Sequence, residues 1–567
     1  MTATEDPEQE AVLEANERHL LVIAPPGTGK TALAARLAGR LAADLAPHER
    51  VLLLTFSNQA RGQLGGELDK RVPGDLGRAV VVTNYHQFFW SAIRSYRSAL
   101  GLPFDASIGS QSRRDALLRG ADQAAFDRLT ECQRETVAEL RFPEFRGDVA
   151  EDESLARLLA AVDEDNARGH LTFGDLGGLF WRLMAEYPTV RHAYVDRYPV
   201  AIADEHQDSS ALQDAVARLF GSRRLIVLAD PMQLIHAWRG ADEQRLRQHA
   251  AECDRQFELK TPHRWAEDVG TGIWLLSVRG RLDGATPDCH LPRNVRIVRT
   301  DPSHGQNAML AATRFAALAA LRSGAKSVAI LASKNEQVAA IRSYLSRNGL
   351  HPRQLGISHE LEALAQLAEQ LPSLSGKPLV ERALSMLFGL CPTIQANVQT
   401  QIQQRLEPNS SRKAGASEFV RKVLASIDPI YEDGPLAFFS GLTGAIEVAR
   451  NGQHQFPGED QVRLFASVAA TGGSLEDQLK ALRSRLALLS HQAPGVARGI
   501  MVMTVHQAKG REFDGIILFD ASASSFPPNV DRMRVFYVAV TRARRSWDLI
   551  APNGRETSYL RALGDRA

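Results

Sequence analysis

Lys30 and Thr31 close a glycine-rich turn, Ala24-Pro25-Pro26-Gly27-Thr28-Gly29. The turn follows the apolar run Leu21-Val22-Ile23 and precedes the helical pattern Ala32-Leu33-Ala34-Ala35-Arg36-Leu37. The order is strand, loop, helix. A loop of this kind turns backbone N–H groups toward phosphate oxygens, and the helix N-terminus adds positive potential. Lys30 would reach the β- and γ-phosphates of a nucleotide, and the Thr31 hydroxyl would ligate Mg²⁺. ATP or GTP is the implied fuel. The stretch departs from G-x-x-x-x-G-K-[ST] at its first position, where Ala24 stands for glycine, and Pro25 and Pro26 stiffen the loop by fixing φ. Alone, the same stretch could be an ordinary strand-to-helix turn.

Two further stretches fit the same chemistry. Val200-Ala201-Ile202-Ala203 runs into Asp204-Glu205-His206-Gln207-Asp208. A strand ending in paired carboxylates offers one to a magnesium ion, Asp204, and one to orient and deprotonate an attacking water, Glu205. Leu228-Ala229 runs into Asp230-Pro231-Met232-Gln233, with His236, Trp238 and Arg239 close behind. Gln233 could sense a γ-phosphate. Trp238 could stack on a base, although a lone tryptophan reads equally as core.

Elements able to hold these groups are visible as short Val/Ile/Leu runs: Val51–Leu54, Val80–Val82, Val200–Ala203, Leu225–Leu228, Val328–Leu331, Ile500–Met503 and Gly515–Phe519. Helical patterns separate them, which is the texture of buried parallel strands. The runs fall before about position 230 and after about position 325, so two parallel-sheet domains are expected, an α/β architecture. Positions 90–195 and 353–495 read as helical inserts, the first with a polar break at Arg141–Asp148 and the second with a loop at Asn409–Gly415.

Bulk composition narrows the classes. A chain of 567 residues has room for three or four domains, and its 44% hydrophobic and 23% charged content suits a globular protein with a sizeable core. A net charge of +1 excludes nucleic-acid binding by bulk field but not by a local groove. The cysteines, Cys132, Cys253, Cys289 and Cys391, form no C-x-x-C pair, so neither a zinc site, an iron–sulfur cluster nor a disulfide framework is expected. With a polar, acidic start and no apolar run of membrane-spanning length, a cytoplasmic setting without membrane contact is expected.

Taken in order, these stretches resemble the motifs of superfamily-one helicases of the UvrD/Rep/PcrA group. Gln9 with Ala11-Val12 resembles the adenine-reading Q motif, Thr55–Ala60 resembles motif Ia with its DNA-contacting Phe56 and Asn58, and Asn84-Tyr85-His86 resembles the next DNA-contacting motif. Asp204–Asp208 resembles D-E-x-Q-D, and Asp230–Gly240 resembles the motif that ends W-R-G-A. Leu259–Arg264 stands where the group has L-x-x-N-Y-R, Thr504–Phe513 resembles T-x-H-x-A-K-G-x-E-F, and Phe536–Arg544 contains Y-V-x-x-T-R-A.

The resemblance implies two RecA-like P-loop motor domains, each with a helical insert: 1–89 with 196–265, insert 90–195, then 266–352 with 496–567, insert 353–495. It implies an ATP-dependent translocase or helicase on single-stranded and duplex DNA, of 3′-to-5′ polarity, with ATP and Mg²⁺ between the motor domains. Carried over residue by residue, Arg264 and Arg542 become γ-phosphate arginines, Gln9, His263 and Glu512 nucleotide contacts, and Phe56, Asn58, His86, Trp238, Arg239, Thr504 and His506 DNA contacts. Arg544 reads as a solvated helix charge.

The chain departs from the group at His263, His236 and His206, where aromatics are usual, and at Ala32, where arginine often follows the P-loop threonine. The chain ends soon after Phe536–Arg544, so no fused C-terminal nuclease is expected, and the short second insert suggests a translocase that needs a partner for processive unwinding. A partner nuclease in DNA repair or Gabija-type anti-phage defence is one alternative. A nucleotide-gated DNA-binding module is another.

Overall fold

Apolar runs flanked by loops with strong turn residues become parallel strands whose carboxyl ends share one edge. The computed structural model describes residues 6–109, 111–236, 240–282, 284, 290–352, 371–391, 394–406, 416–452, 459–482 and 499–564. In chain order its strands are β1 (His19–Ile23), β2 (Val51–Thr55), β3 (Val80–Asn84), β4 (Ser107–Ile108), β5 (His170–Leu171), β6 (Val200–Ala203), β7 (Arg224–Ala229) and β8 (Arg255–Glu258), followed by β9 (Val295–Thr300), β10 (Ser327–Ala332), β11 (Gly499–Thr504), β12 (Phe513–Leu518) and β13 (Ala543–Pro552).

The chain divides into two units, 1–355 with 493–567, and 356–492. The first carries two all-parallel sheets, ordered β3-β2-β6-β7-β1-β8 and β11-β10-β12-β13-β9, plus the small β4–β5 pair. In the first sheet β1 pairs with β7, and β7 with β6, so the loops after all three open beside one another. Ligands bind at such a carboxyl edge in open α/β sheets.

Both faces of that sheet are covered. The helix Lys30–Ala42 buries Leu33, Leu37 and Leu41 against Val22, Leu53 and Ile202, while Phe88, Phe89, Phe180 and Phe220 cluster on the opposite side. Full burial on both faces explains why β1, β2, β6 and β7 are runs of Val, Ile and Leu instead of alternating patterns.

The segment between β3 and β6 is mostly helical, with its own core of Leu118, Phe126, Leu140, Leu158 and Val162. Arg114 is buried there, paired with Asp175 at 2.8 Å and bonded to Asn166, so its charge is neutralised where water is absent. The stretch Arg141–Asp148 does separate the long helices Gln111–Arg128 and Glu153–Ala167, but it is not without structure. Its residues belong to a 3₁₀ turn, Val137–Arg141, and a short helix, Pro143–Arg146, with buried Arg146 donating to the Leu140 carbonyl and to Glu151.

The unit 356–492 is helical among its described residues. Its helices Gly376–Leu390, Glu418–Asp433, Phe438–Asn451 and Glu459–Ala469 enclose Leu384, Leu424, Phe438, Phe439 and Phe465. The expected loop Asn409–Gly415 lies outside the described residues. No helix among the described residues is long and apolar enough to cross a membrane.

Candidate functional site

The loop between β1 and the helix Lys30–Ala42 is built on two left-handed glycines, Gly27 at φ +81° and Gly29 at φ +83°. A side chain at either place meets structure as well as strain. A Cβ on Gly27 would lie 2.5 Å from Trp265 Cζ3, and one on Gly29 would lie 2.6 Å from Gln9 Nε2. Gln9 Nε2 donates to the Thr28 carbonyl at 3.1 Å, the Thr28 hydroxyl donates to the Pro25 carbonyl at 2.8 Å, and the Arg264 N–H donates to the Gly27 carbonyl at 3.0 Å. Ala24 extends the pairing of β1, its N–H donating to the Ala229 carbonyl, and its methyl is buried. The absent first glycine therefore falls on strand-like backbone that an alanine tolerates.

A prediction follows from Gly27. Gly27→Ala adds about 1–2 kcal/mol of backbone strain and about 1–3 kcal/mol of overpacking against Trp265. Thermal unfolding should show a lowered Tm, and a fluorescent ATP analogue should bind more weakly.

Behind the loop, Lys30 Nζ lies 3.3 Å from Asp204 Oδ1 and makes a closer ion pair with Glu205. Burial disfavours the Lys30 ammonium, yet the two carboxylates outweigh it and raise its pKa. Burial, aided by the charge on Glu205, pushes Asp204 up against the pull of Lys30. Glu205 goes the other way: burial pushes its carboxyl up, but Lys30 and Lys509 hold it down at about 2. Glu205 has φ +53°, alone among the described non-glycine residues in the left-handed region. Such strain costs about 1–3 kcal/mol and gathers at functional sites. Gln207 fixes the turn by donating to Glu205 Oε2 at 2.6 Å while its own Oε1 accepts the Asp230 N–H. Asp230, fully buried, accepts from Gln233 Nε2 at 3.0 Å.

The second sheet supplies cations to the same place. Arg542, at the end of the helix Val530–Val540, donates to Gln233 Oε1 at 3.0 Å and to the Val538 carbonyl. Burial and the like charge of Arg264 push its pKa down to about 10. Arg264 bonds to the Thr541 carbonyl at 2.7 Å and pairs with Glu512, which also holds Arg544 at 2.6 Å. Arg544 is exposed, as a solvated charge would be, but it lies on β13 instead of a helix and is paired with Glu512. Near the loop, His263 Nε2 lies 2.6 Å from Asp6 Oδ2, and Asp6 also caps the helix Pro7–Glu14 that carries Gln9. Thr31 lies in the first turn of the helix Lys30–Ala42.

Residues named for DNA make ring and amide contacts of their own. Phe56 stacks on His236 with ring centroids 6.2 Å apart, and His236 is 6.1 Å from His506. Exposed His86 meets exposed Phe173 edge-on at 5.6 Å. Asn58 Oδ1 accepts from Asn84 Nδ2 and Gln87 Nε2, and Thr504 caps the helix Val505–Ala508. Trp238 and Arg239 lie outside the described residues.

Some contacts had no counterpart in the sequence reading. Lys509 bonds to both Asp208 and the Gln233 carbonyl, and Trp265, fully buried, donates to the Ala543 carbonyl at 3.1 Å while packing beneath Gly27. Lys509 sits inside the A-K-G stretch already noticed, so its charge was the available signal. Trp265 offered only its place next to Arg264.

Comparisons with known proteins agree over both halves. The UvrD/REP helicase N-terminal domain matches residues 5–254, and the UvrD-like helicase C-terminal domain matches 499–547. ATP-dependent DNA helicase UvrD2 of Mycobacterium bovis is 24% identical over 98% of this chain and 80% of its own length. ATP-dependent DNA helicase PcrA of Leuconostoc citreum is 25% identical over 41% of this chain and 33% of its own. PcrA of Staphylococcus aureus is 26% identical over 42% and 35%.

Proposed function

Since the chain belongs to the UvrD/REP helicase family, we propose that it moves 3′-to-5′ along single-stranded DNA by hydrolysing ATP between its two RecA-like sheets. Its class is that of an ATP-dependent DNA helicase. The observation that carries the mechanism is the meeting of groups from both sheets: Lys30, Asp204, Glu205 and Gln233 from the first, Arg542 and Lys509 from the second.

The donor set fits a magnesium nucleotide. Two left-handed glycines open the loop's N–H groups, an ammonium and a helix N-terminus supply positive charge, and two carboxylates pair with that ammonium. Thr31 and Asp204 would hold Mg²⁺, which neutralises charge on the transferred phosphoryl group. Lys30 would exchange its carboxylate partners for β- and γ-phosphate oxygens, releasing Glu205 to take a proton from the attacking water. Arg264 and Arg542 would stabilise the equatorial oxygens in the transition state. Gln9 and His263 flank the loop where adenine would sit, and Glu512 would meet the ribose.

Coupling follows from Gln233. It touches Asp230 in the first sheet and Arg542 and Lys509 from the second, so its position can differ with the phosphate it senses. Phe56, His86, His236 and His506, with Asn58 and Thr504, would then grip and release successive bases in the cytoplasm, a role the family likeness also gives Trp238 and Arg239. Stacking on such rings is worth about 1–3 kcal/mol per base and tolerates any sequence.

Polarity is tested with short duplexes bearing one single-stranded tail. A 3′ tail should support ATP-dependent strand separation and a 5′ tail should not. Separation from the 5′ tail alone would reverse the assignment.

A further inference from the structure

Three buried side chains converge beside the catalytic turn. His206 Nε2 lies 2.8 Å from Asp214 Oδ1 and 3.1 Å from His249 Nε2, and His249 Nε2 lies 2.6 Å from the same Asp214 oxygen. The three residues are 3%, 7% and 0% exposed for His206, Asp214 and His249. They come from separate elements: the turn His206–Asp208, the helix Ala211–Phe220 and the helix Glu243–Glu252.

We propose that His206 Nε2, His249 Nε2 and Asp214 Oδ1 bind a divalent transition-metal ion of the zinc class. Asp214 Oδ1 can only accept hydrogen bonds when ionised. If both histidines donate to it, their two Nε2–H groups confront each other. If one Nε2 carries a lone pair instead, that lone pair faces the carboxylate. With Asp214 ionised, no placement of the imidazole protons makes all three contacts attractive. A cation capping the triangle, about 2.0–2.2 Å from each atom, takes a lone pair from all three.

The surroundings have the form of an outer shell. His249 Nδ1 is 3.0 Å from His19 Nε2, His206 Nδ1 is 3.1 Å from Ser209 Oγ, and Asp214 Oδ2 accepts from Arg218 Nε at 2.9 Å. Metal-bound histidines almost always engage their second nitrogen in this way, which fixes the ring and the tautomer. Two imidazoles favour zinc-class ions over magnesium or calcium, which take oxygen. The site uses no cysteine, so the cysteine spacing does not bear on it. Its mechanical effect would be to tie the residue after Glu205 to the helix Glu243–Glu252, whose Glu243 pairs with Arg534 on the helix leading to Arg542.

The test is metal content and affinity of the full chain. Protein purified from zinc-supplemented cells is assayed for metal by mass spectrometry, then stripped with a chelator and titrated with Zn²⁺ and Co²⁺. The expected result is about one ion per chain, Co²⁺ ligand-field absorption and a Tm that falls on chelation. His249→Gln and Asp214→Asn should each weaken binding by more than about 100-fold, and His19→Gln by about 10–100-fold as loss of an outer-shell partner. Asp204→Asn should retain the ion, which separates this site from the nucleotide magnesium. A wild-type chain that takes up no zinc, equal affinity in folded His249→Gln, or loss of the ion in Asp204→Asn would each overturn the proposal in favour of a purely hydrogen-bonded cluster or another site.

Discussion

Arg542→Ala should leave ATP binding within a few-fold of wild type and slow DNA-stimulated hydrolysis by about 10³–10⁵-fold, the range over which an arginine finger acts. The expectation rests on where the guanidinium stands. It is buried, held by the Val538 carbonyl and the Thr541 hydroxyl, and aimed at Gln233 from the opposite sheet. A cation fixed in advance in a dry site stabilises developing charge without reorganising. Arg542→Lys should recover little, because an ammonium cannot reproduce the fork that bonds Gln233 and Thr541 together. Pre-steady-state hydrolysis with a parallel ATP-analogue binding assay checks both statements. A drop confined to binding would place Arg542 outside the chemical step.

Glu205→Gln is the second large effect. The substitution keeps the volume of the side chain and one oxygen for Gln207, and removes only the proton acceptor. Loss of a general base lowers the rate by about 10²–10⁴-fold. Nucleotide binding should be kept or improved, since Lys30 loses a competitor for the phosphates. The variant should therefore trap an ATP-bound, DNA-bound complex, visible by gel shift as slow dissociation from single-stranded oligonucleotide. Hydrolysis at the wild-type rate would move the base elsewhere, with Asp208 the next carboxylate along the turn.

How much of this was legible in the chain depends on burial. β1, β2, β6, β7, β10 and β12 were visible because central parallel strands are apolar on both faces, and the edge strand β11 because it too is buried along Ile500–Thr504. β8 and β9 were not, being edge strands with one face in water: Arg255, Gln256 and Glu258 in the first, Arg296 and Arg299 in the second. β13 lies inside its sheet yet begins with exposed Arg544 and Arg545, which masked the buried Trp547–Ala551 that follows. Arg544 was misread for that reason.

The phosphate loop and the acidic turn were legible because local sequence alone creates them. Gly27 and Gly29 supply φ values that other residues avoid, and Asp204-Glu205 ends a strand. Contacts between the sheets were not, because Lys509 with Asp208 and Arg264 with Glu512 join residues hundreds of positions apart. Nothing in local spacing announces them. The same holds for His206, Asp214 and His249, which were separate polar residues until folding brought three helical turns together.

The most direct test of the account is steady-state ATP hydrolysis with and without single-stranded DNA, for the wild-type chain beside Lys30→Ala. Strong stimulation by DNA is expected in the wild type and none in the variant, because Lys30 would contact the phosphates in the site through which DNA would act. Hydrolysis that ignores DNA, or that survives Lys30→Ala, would contradict it.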